Sequence, residues 1–390
     1  MRQKKLSKIE RLVNAAFHIG KYSAFSLVLA GSLGCFKYGL KPISSSADGR
    51  YVSFPVPVKG EDIENRCSFV IYDITNNTGE RLPGTYNESI WISNTKDTLA
   101  LIEEGENRKT DILVISPNAI ERIPSASFPS LSKKGDALLY SKDFDSEDDP
   151  SRLELILRNL KTKKEQVIAK NAIFGDFSYD DKLISYVALE KNDKTDKDKI
   201  TPVLYVTDGD SKFKEKVRDL NFRDGDDILA TIPHFVGERR LIFQSENVYD
   251  NTYTSEKNKT NLDVFCAHIS QNFDGSFKIL TEQISPWFNL GNEFFPSYRD
   301  NVYYYIKEEL KKEGEESVVS FRKMQRGSLG IVRWEIPLKI NPEFYTVAKG
   351  NKIVYYGKRE DGTYSIFLAT PKKASKNSFD IVDIGKEFGY

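Results

Sequence analysis

A short pattern of polar and apolar residues recurs seven times between residue 41 and the C-terminus. Its clearest copy runs from Ser46 to Phe54, where a polar turn with Asp48 and Gly49 leads into alternating apolar and polar residues. An Asp-Gly turn followed by alternation is typical of a β-hairpin whose strands bury one face. The other six copies are less regular, and their predicted strands open at Thr98, Ala137, Leu183, Leu241, Val302 and Ile353.

The spacing of these copies indicates one large repetitive domain. Counted from Tyr51, the strand-opening residues follow one another after 47, 39, 46, 58, 61 and 51 residues. Most of these intervals are close to the repeat length of a propeller blade, which is about 40–50 residues. Because the fourth and fifth intervals are long, a six-bladed ring in which one copy is a hairpin insertion is the alternative.

Each copy is followed by a polar loop and a second apolar strand. These second strands are predicted at 68–73, 111–115, 153–157, 203–206, 262–265, 318–321 and 364–368. A leading strand at 127–131 and closing strands at 166–168 and 277–280 indicate four strands per unit. Four antiparallel strands repeated around an axis form a β-propeller, whose closure removes exposed strand edges. The sequence therefore predicts an all-β propeller of seven four-stranded blades.

The segment from Ser46 to Phe54 resembles the TolB-type propeller repeat, a WD-like repeat that also occurs in the propeller domains of prolyl oligopeptidase and dipeptidyl-peptidase relatives. The resemblance covers about residues 41–388 and implies the fold. TolB has an additional α/β domain before its propeller, whereas the first repeat here follows the N-terminal segment directly. The peptidase relatives carry an α/β-hydrolase domain with a Gly-x-Ser-x-Gly elbow, and this sequence lacks that motif.

Composition narrows the class of protein. Lys plus Arg and Asp plus Glu both number 57, so the net charge is zero, and we do not expect nucleic acid as a partner. The apolar share of 39% and the mean hydropathy of −0.48 exclude a polytopic membrane protein. With 24 Phe and 20 Tyr the chain is too aromatic to be disordered. The composition therefore indicates a soluble, folded body.

Residues 1–40 are predicted to target the protein to a membrane, ahead of a propeller at 41–390. Residues 1–23 carry six basic residues and one acid, Glu10, and their apolar residues recur at helical spacing. The apolar stretch that follows has the length of a signal-peptide core and is shorter than the about 20 residues that span a bilayer. The basic residues before the apolar stretch predict that the N-terminus is cytoplasmic and that the propeller is exported to the periplasmic or extracellular face.

Three fates of this segment remain open. The run from Ser32 to Cys35 resembles the lipobox of bacterial lipoproteins, which implies that Cys35 is lipidated. It departs from that pattern because Ser32 and Leu33 stand where a leucine and a small residue are preferred. An uncleaved signal anchor from Tyr22 to Leu40 is the second alternative, and ordinary cleavage elsewhere is the third.

Residues that commonly act in catalysis or metal binding are scarce in this sequence. The chain has three cysteines and three histidines, with no CxxC pair, no HExxH motif and no phosphate-binding glycine loop. We therefore expect no catalytic residue, no metal site and no cofactor. His234 and His268 are assigned to packing within the fifth blade, and Cys67 and Cys266 to buried free thiols.

Charged runs and exposed aromatics are the remaining candidates. The runs 143–149, 192–199, 224–227 and 307–316 are predicted to be solvated loops or connections between blades. The first of them is acidic but lacks the order and the turn glycine of an EF-hand. Alternation assigns most of Trp91, Trp287, Trp334 and the run Tyr303–Tyr305 to the core, with Trp287 and Phe288 as the exposed pair.

These observations favour a non-enzymatic propeller that presents its loops to protein partners in the cell envelope or membrane. The alternative is a propeller enzyme or carbohydrate-binding module whose ligand lies at the mouth of the central channel. A sensor propeller with a membrane-protein partner is a third hypothesis. Converging carboxylates or histidines at the channel mouth favour the ligand site, and an uneven apolar patch favours the protein-binding module.

Overall fold

The computed structural model describes residues 43–58, 67–82, 90–93, 97–104, 110–116, 119–143, 153–191, 200–210, 213–220, 233–248, 260–272, 276–284, 291–309, 318–327, 330–336, 345–372 and 378–390. The predictions for residues 1–40, including the lipidation of Cys35, lie outside these residues. Among the described residues there is no helix with the length and apolar character needed to cross a membrane.

The described residues form seven antiparallel sheets of four strands, and each sheet is built from consecutive strands. Blade 1 contains β1 (Ser44–Ser45), β2 (Tyr51–Pro57), β3 (Cys67–Asp73) and β4 (Thr78–Arg81). Blade 2 contains β5 (Ile90–Ile92), β6 (Leu99–Glu104), β7 (Thr110–Ser116) and β8 (Ala119–Ile123). Blade 3 contains β9 (Ala126–Leu131), β10 (Ala137–Asp143), β11 (Leu153–Asn159) and β12 (Glu165–Lys170). Blade 4 contains β13 (Ala172–Phe177), β14 (Leu183–Lys191), β15 (Ile200–Asp208) and β16 (Lys214–Asp219).

The last three blades follow the same order. Blade 5 contains β17 (His234–Phe235), β18 (Arg240–Val248), β19 (Thr260–Gln271) and β20 (Phe277–Gln283). Blade 6 contains β21 (Gly291–Arg299), β22 (Val302–Glu309), β23 (Val318–Gly327) and β24 (Gly330–Glu335). Blade 7 contains β25 (Tyr345–Ala348), β26 (Lys352–Lys358), β27 (Tyr364–Pro371) and β28 (Phe379–Asp383). The predicted seven-bladed propeller is confirmed, and the six-bladed alternative is wrong because every repeat forms its own sheet.

The motif serine explains why the repeats look alike. The hydroxyl of Ser46, buried from solvent, accepts the backbone N–H of Tyr51 at 3.0 Å and donates to Asp48 at 2.6 Å. Gly49 then takes a left-handed φ of +69°, which closes the turn and favours glycine. Three other motif serines repeat the first bond; they are Ser93 to Thr98, Ser132 to Ala137 and Ser178 to Leu183.

Degenerate copies keep the turn geometry with other residues. In blade 4 the left-handed position is Asp181, with φ +59°, and in blade 6 it is Asn301, with φ +63°. Aspartate and asparagine tolerate this conformation better than other side chains with a Cβ. The turn is thus conserved in shape between blades although its glycine is not present in every copy.

The first strands surround the axis of the ring. β1 contacts β5, β5 contacts β9, β9 contacts β13 and β13 contacts β17, while β21 contacts β25 and β25 contacts β1. The apolar core lies between neighbouring blades, where large side chains such as Tyr140, Tyr186 and Tyr356 are fully buried. The residues nearest the axis therefore come from the first strands and from the turns that follow them.

Among the residues that the structure describes, no blade is shared between the two ends of the chain. The Thr346 hydroxyl of blade 7 donates to Ser45 of blade 1 at 3.0 Å. A 3₁₀ helix at Gly385–Phe388 then carries the C-terminal residues across this junction. The hydroxyl of Tyr390 donates to the Pro55 carbonyl at 2.6 Å, and the ring of Phe388 meets Phe54 edge-on at 5.9 Å. We call Gly385–Tyr390 the C-terminal latch.

Candidate functional site

The turns between the first and second strands of the blades lie at one end of the ring, which we call the first-turn face. Backbone and side-chain bonds link these turns from blade to blade. The Thr98 hydroxyl donates to the Gly135 carbonyl at 3.1 Å, and the Tyr179 N–H donates to the Gly237 carbonyl at 3.2 Å. Such bonds hold the side chains at this end in fixed positions around the axis.

Asp176, on the inner strand of blade 4, is the centre of a polar cluster at this face. Its Oδ1 accepts the Ser130 hydroxyl at 3.0 Å and lies 3.5 Å from the Lys133 Nζ, both from blade 3. Its Oδ2 accepts the backbone N–H of Phe235 at 2.8 Å and lies 3.9 Å from His234 Nδ1, both from blade 5. A single buried carboxylate therefore joins three blades.

His234 is the member of this cluster with the most open surface. Its side chain is 41% exposed, compared with 12% for Asp176 and 13% for Lys133. The surrounding protein lowers the pKa of His234 by desolvation, and the positive Lys133 adds to this effect, while Asp176 opposes it. The imidazole is therefore neutral at pH 7, with one nitrogen able to donate and the other able to accept a hydrogen bond.

Tyr179 and Arg299 connect the polar cluster around Asp176 to blades 6 and 1. The Arg299 Nη1 of blade 6 donates to the Ala47 carbonyl of blade 1 at 2.6 Å, so this side chain reaches past blade 7. Burial raises the pKa of Tyr179, while the positive charge of Arg299 lowers it and the negative charge of Asp48 raises it further. A residue of blade 4 that interacts with residues of blades 6 and 1 lies close to the axis.

Four polar atoms among the described residues at this face are buried without a hydrogen-bond partner. They are the Arg299 Nε, the Asp181 Oδ2, the Arg239 Nη1 and the Asn351 Oδ1. Asp181 accepts the Lys133 backbone N–H at 2.8 Å with its other oxygen, and burial raises the pKa of its carboxyl. Buried polar groups are nearly always bonded to protein or to water, so unpaired ones deserve an explanation.

Ser130 and His234 do not form a nucleophile–base pair in this arrangement. A serine nucleophile needs an imidazole that takes the proton from its hydroxyl. The Ser130 hydroxyl instead donates to one oxygen of Asp176, and His234 lies beside the other oxygen of the same carboxylate.

We call Ser130, Lys133, Asp176, Tyr179, His234 and Arg299 the axial cluster.

The axial cluster was assembled from residues that the sequence did not single out, apart from His234. The prediction that His234 and His268 belong to blade 5 is confirmed, since they lie in β17 and β19. Each faces a carboxylate, Asp176 in one case and Glu282 in the other, so the contacts are polar rather than apolar packing. Cys67 and Cys266 are buried and free of disulfide bonds, as expected.

Most of the charged runs that were candidates fall outside the described residues. These parts are 144–149, 192–199, 224–227 and 310–316, together with the pair Trp287 and Phe288. The described ends of two runs, Asp143 and residues 307–309, lie in strands β10 and β22 and not in loops. The strand positions of Trp91 and Trp334 are described, but their side chains are not. The assignment of Tyr303–Tyr305 to the core is confirmed, because each of these residues is less than one tenth exposed.

Comparison with known proteins supports the fold. No family model matches the sequence, and no curated protein matches it either. The tricorn protease structure matches with a TM-score of 0.56 at 12% identity, covering 89% of this chain and 34% of that one. The β-propeller domain of the Trilobed protease from Pyrococcus furiosus, described as having an open velcro topology, matches with a TM-score of 0.54 at 11% identity, covering 84% and 93%.

A putative TolB from Agrobacterium tumefaciens also matches, with a TM-score of 0.38 at 14% identity, covering 62% of this chain and 79% of that one. The chain spans about a third of the length of the tricorn protease chain that it matches. At these identities the likeness concerns the fold alone. The β-propeller fold that the repeat implied is confirmed.

Proposed function

We propose that the protein is a non-enzymatic TolB-like propeller that binds a protein partner at the first-turn face, around the axis of its ring. The observation that carries this proposal is the axial cluster, to which blades 3, 4, 5 and 6 contribute side chains. The open surface of His234 offers hydrogen bonds to a polar segment of a partner. Rigid blades that position variable turns are well suited to such recognition.

The partner belongs to the cell envelope or membrane in this proposal, and the N-terminal segment holds the propeller there. Its support is the basic and apolar order of residues 1–40. Removing residues 1–40 should leave the propeller folded and release it from the membrane. Mass spectrometry of the mature N-terminus separates the three fates, since a diacylated Cys35, an intact Met1 or a new N-terminus elsewhere each identifies one.

Adjacent lysines provide a matched test of the binding site. Lys133 is 13% exposed and lies beside Asp176, whereas the side chain of Lys134 is exposed. We expect Lys133→Gln and His234→Gln to reduce recovery of a crosslinked partner at least fivefold, and Lys134→Gln to leave it unchanged. Circular dichroism confirms that each variant is folded. Equal recovery with all three variants would refute a partner site at the axis.

A propeller enzyme or carbohydrate-binding module at the same end is the second candidate. It is favoured by the convergence of two carboxylates, Asp176 and Asp181, with His234 near the axis. Burial raises the pKa of Asp181, which is typical of groups that exchange protons at active sites. Titration calorimetry with neutral oligosaccharides distinguishes the candidates, because heat of binding that His234→Gln abolishes supports the module and argues against the protein-binding scaffold.

A further inference from the structure

Away from the axis, three side chains of blade 5 meet as potential metal ligands. Cys266 and His268 are alternate residues of β19 and project to the same face of the sheet. Glu282 lies directly opposite Cys266 on β20. The thiol, the imidazole Nε2 and a carboxylate oxygen all lie within 4.8 Å of one another. These atoms are of the types that bind zinc.

The distances fit a tetrahedral ion. With Zn–S about 2.3 Å and Zn–N about 2.05 Å, a tetrahedral zinc places its sulfur and nitrogen ligands about 3.6 Å apart. The Cys266 Sγ and the His268 Nε2 are 3.6 Å apart. Nitrogen and oxygen ligands of such an ion are about 3.3 Å apart, and the His268 Nε2 and Glu282 Oε1 are 2.8 Å apart. A shift of about half an ångström by the Glu282 side chain brings the nitrogen–oxygen distance to this value.

The same imidazole nitrogen faces both other ligands, which distinguishes this cluster from a catalytic triad. In a triad one nitrogen meets the nucleophile and the other meets the carboxylate. Here the Nε2 of His268 is close to both the Cys266 sulfur and the Glu282 oxygen. Three ligand atoms that lie this close together are suited to binding one shared cation.

The surroundings also fit an ion. The Cys266 thiol is buried, while the side chains of His268 and Glu282 are 35% and 31% exposed, which leaves a path from solvent. The Tyr303 hydroxyl of blade 6 lies 3.8 Å from the sulfur and donates toward it. Partners of this kind orient metal ligands from a second layer. The nearby Arg240 is engaged by the hydroxyl and ring of Tyr298.

We propose that Cys266, His268 and Glu282 bind a divalent transition-metal ion, with zinc as the preferred ion. The thiol gives up its proton to solvent as the metal–sulfur bond forms. A thiolate and a carboxylate together balance the two positive charges of the ion. Three protein ligands leave a fourth position for water or another ligand. Imidazole and thiolate ligands favour zinc over magnesium or calcium.

Cobalt(II) is the probe for this site, because a cobalt–thiolate bond gives a charge-transfer absorption that only a sulfur ligand produces. Full-length protein is purified under reducing conditions, treated with a chelator and titrated with cobalt(II), then with zinc(II). We expect one cobalt ion per chain, the thiolate absorption, and its loss when zinc displaces the cobalt. Absence of the absorption in the wild-type protein would overturn the proposal.

Variants assign the ligands. We expect Cys266→Ser to abolish the thiolate absorption, and His268→Gln and Glu282→Gln to weaken cobalt binding at least tenfold. Tyr303→Phe should weaken it by about 10-fold, at the lower end of the effect of second-layer partners. Cys67→Ser is the matched control, since it removes the other described buried thiol and should leave binding unchanged. Binding to Glu282→Gln at wild-type affinity, or equal loss in Cys67→Ser, would refute this ligand set; circular dichroism verifies folding.

Discussion

The C-terminal latch should contribute measurably to stability, because it bonds and packs across the junction between the first and last blades. Tyr390 is the residue to change. Its hydroxyl donates to the Pro55 carbonyl of blade 1 at 2.6 Å and lies 2.9 Å from the hydroxyl of Tyr356 in blade 7. Tyr390→Phe removes both hydrogen bonds and keeps the ring. One side chain thus links the first and last blades by hydrogen bonds that can be deleted without leaving a cavity.

The expected cost follows from those two bonds. Each contributes about 0.5–1.5 kcal/mol, so Tyr390→Phe should lower the free energy of unfolding by about 1–3 kcal/mol. Phe388→Ala removes packing against Phe54 and should cost about 2 kcal/mol, less than a fully buried phenylalanine because Phe388 is half-buried. The two effects should not add, since both residues stabilise the same junction.

Urea denaturation followed by circular dichroism measures these changes. Lys386→Ala is the control, because Lys386 lies on the same 3₁₀ helix with an exposed side chain and should change the free energy by less than about 0.5 kcal/mol. If Tyr390→Phe is as stable as the wild-type protein, or if Lys386→Ala loses as much, the latch does not hold the ring closed and the argument fails.

Three further predictions concern single side chains. Burial lowers the pKa of His234 in the folded state, so the unfolded chain binds a proton at a higher pH than the folded protein does. The free energy of unfolding should therefore fall as the pH drops below about 6.5. His234→Gln should reduce the difference between the urea midpoints at about pH 7.5 and about pH 5.5. Burial raises the pKa of Asp383, but hydrogen bonds from Arg359 and Ser365 outweigh it and the net shift is downward. Its stabilisation is complete above about pH 3.9 and declines as the pH falls toward the lowered pKa, so Asp383→Asn should lower the thermal midpoint more at neutral pH than near pH 3. Ser178→Ala leaves the buried Leu183 N–H without its acceptor and should cost about 1–3 kcal/mol by urea denaturation, whereas the exposed Ser270→Ala should cost little.

The fold could be predicted from the sequence because each repeat carries its own local signal. The strand-opening residues predicted at Tyr51, Ala137, Leu183 and Val302 are the first residues of β2, β10, β14 and β22. The other three lie within one residue of the observed starts. The reason is local chemistry, since a buried serine hydroxyl shapes the hairpins of blades 1 to 4 and a left-handed turn residue those of blades 1, 4 and 6, all within about ten residues.

The axial cluster could not be predicted in the same way. Asp176 occurs in the strand Ala172–Phe177, whose residues are all buried, and nothing in its immediate sequence indicates a charge partner. Ser130 is 46 residues away and Phe235 is 59 residues away. Only the closure of the ring brings such residues together, because neighbouring inner strands come from different repeats.

The three proposed metal ligands could have been predicted from the sequence. Cys266 and His268 are two residues apart in a predicted strand, so they share a face, and Glu282 follows in the strand that pairs with it. No metal site was predicted because the chain has no CxxC pair and no HExxH motif, and Cys266 and His268 were interpreted one at a time. The register that aligns Glu282 with Cys266 depends on the length of the hairpin, which the pattern alone did not fix.

Site-specific photo-crosslinking in intact cells tests the proposed binding face most directly. A photoreactive amino acid is placed at Lys349, which is exposed on the first-turn face in blade 7, or at Ile120, which is 69% exposed on the outer strand of blade 2. The account predicts a discrete protein adduct from position 349 that Arg299→Gln diminishes, and none from position 120. An adduct of equal yield from Ile120, or none from Lys349, would contradict it.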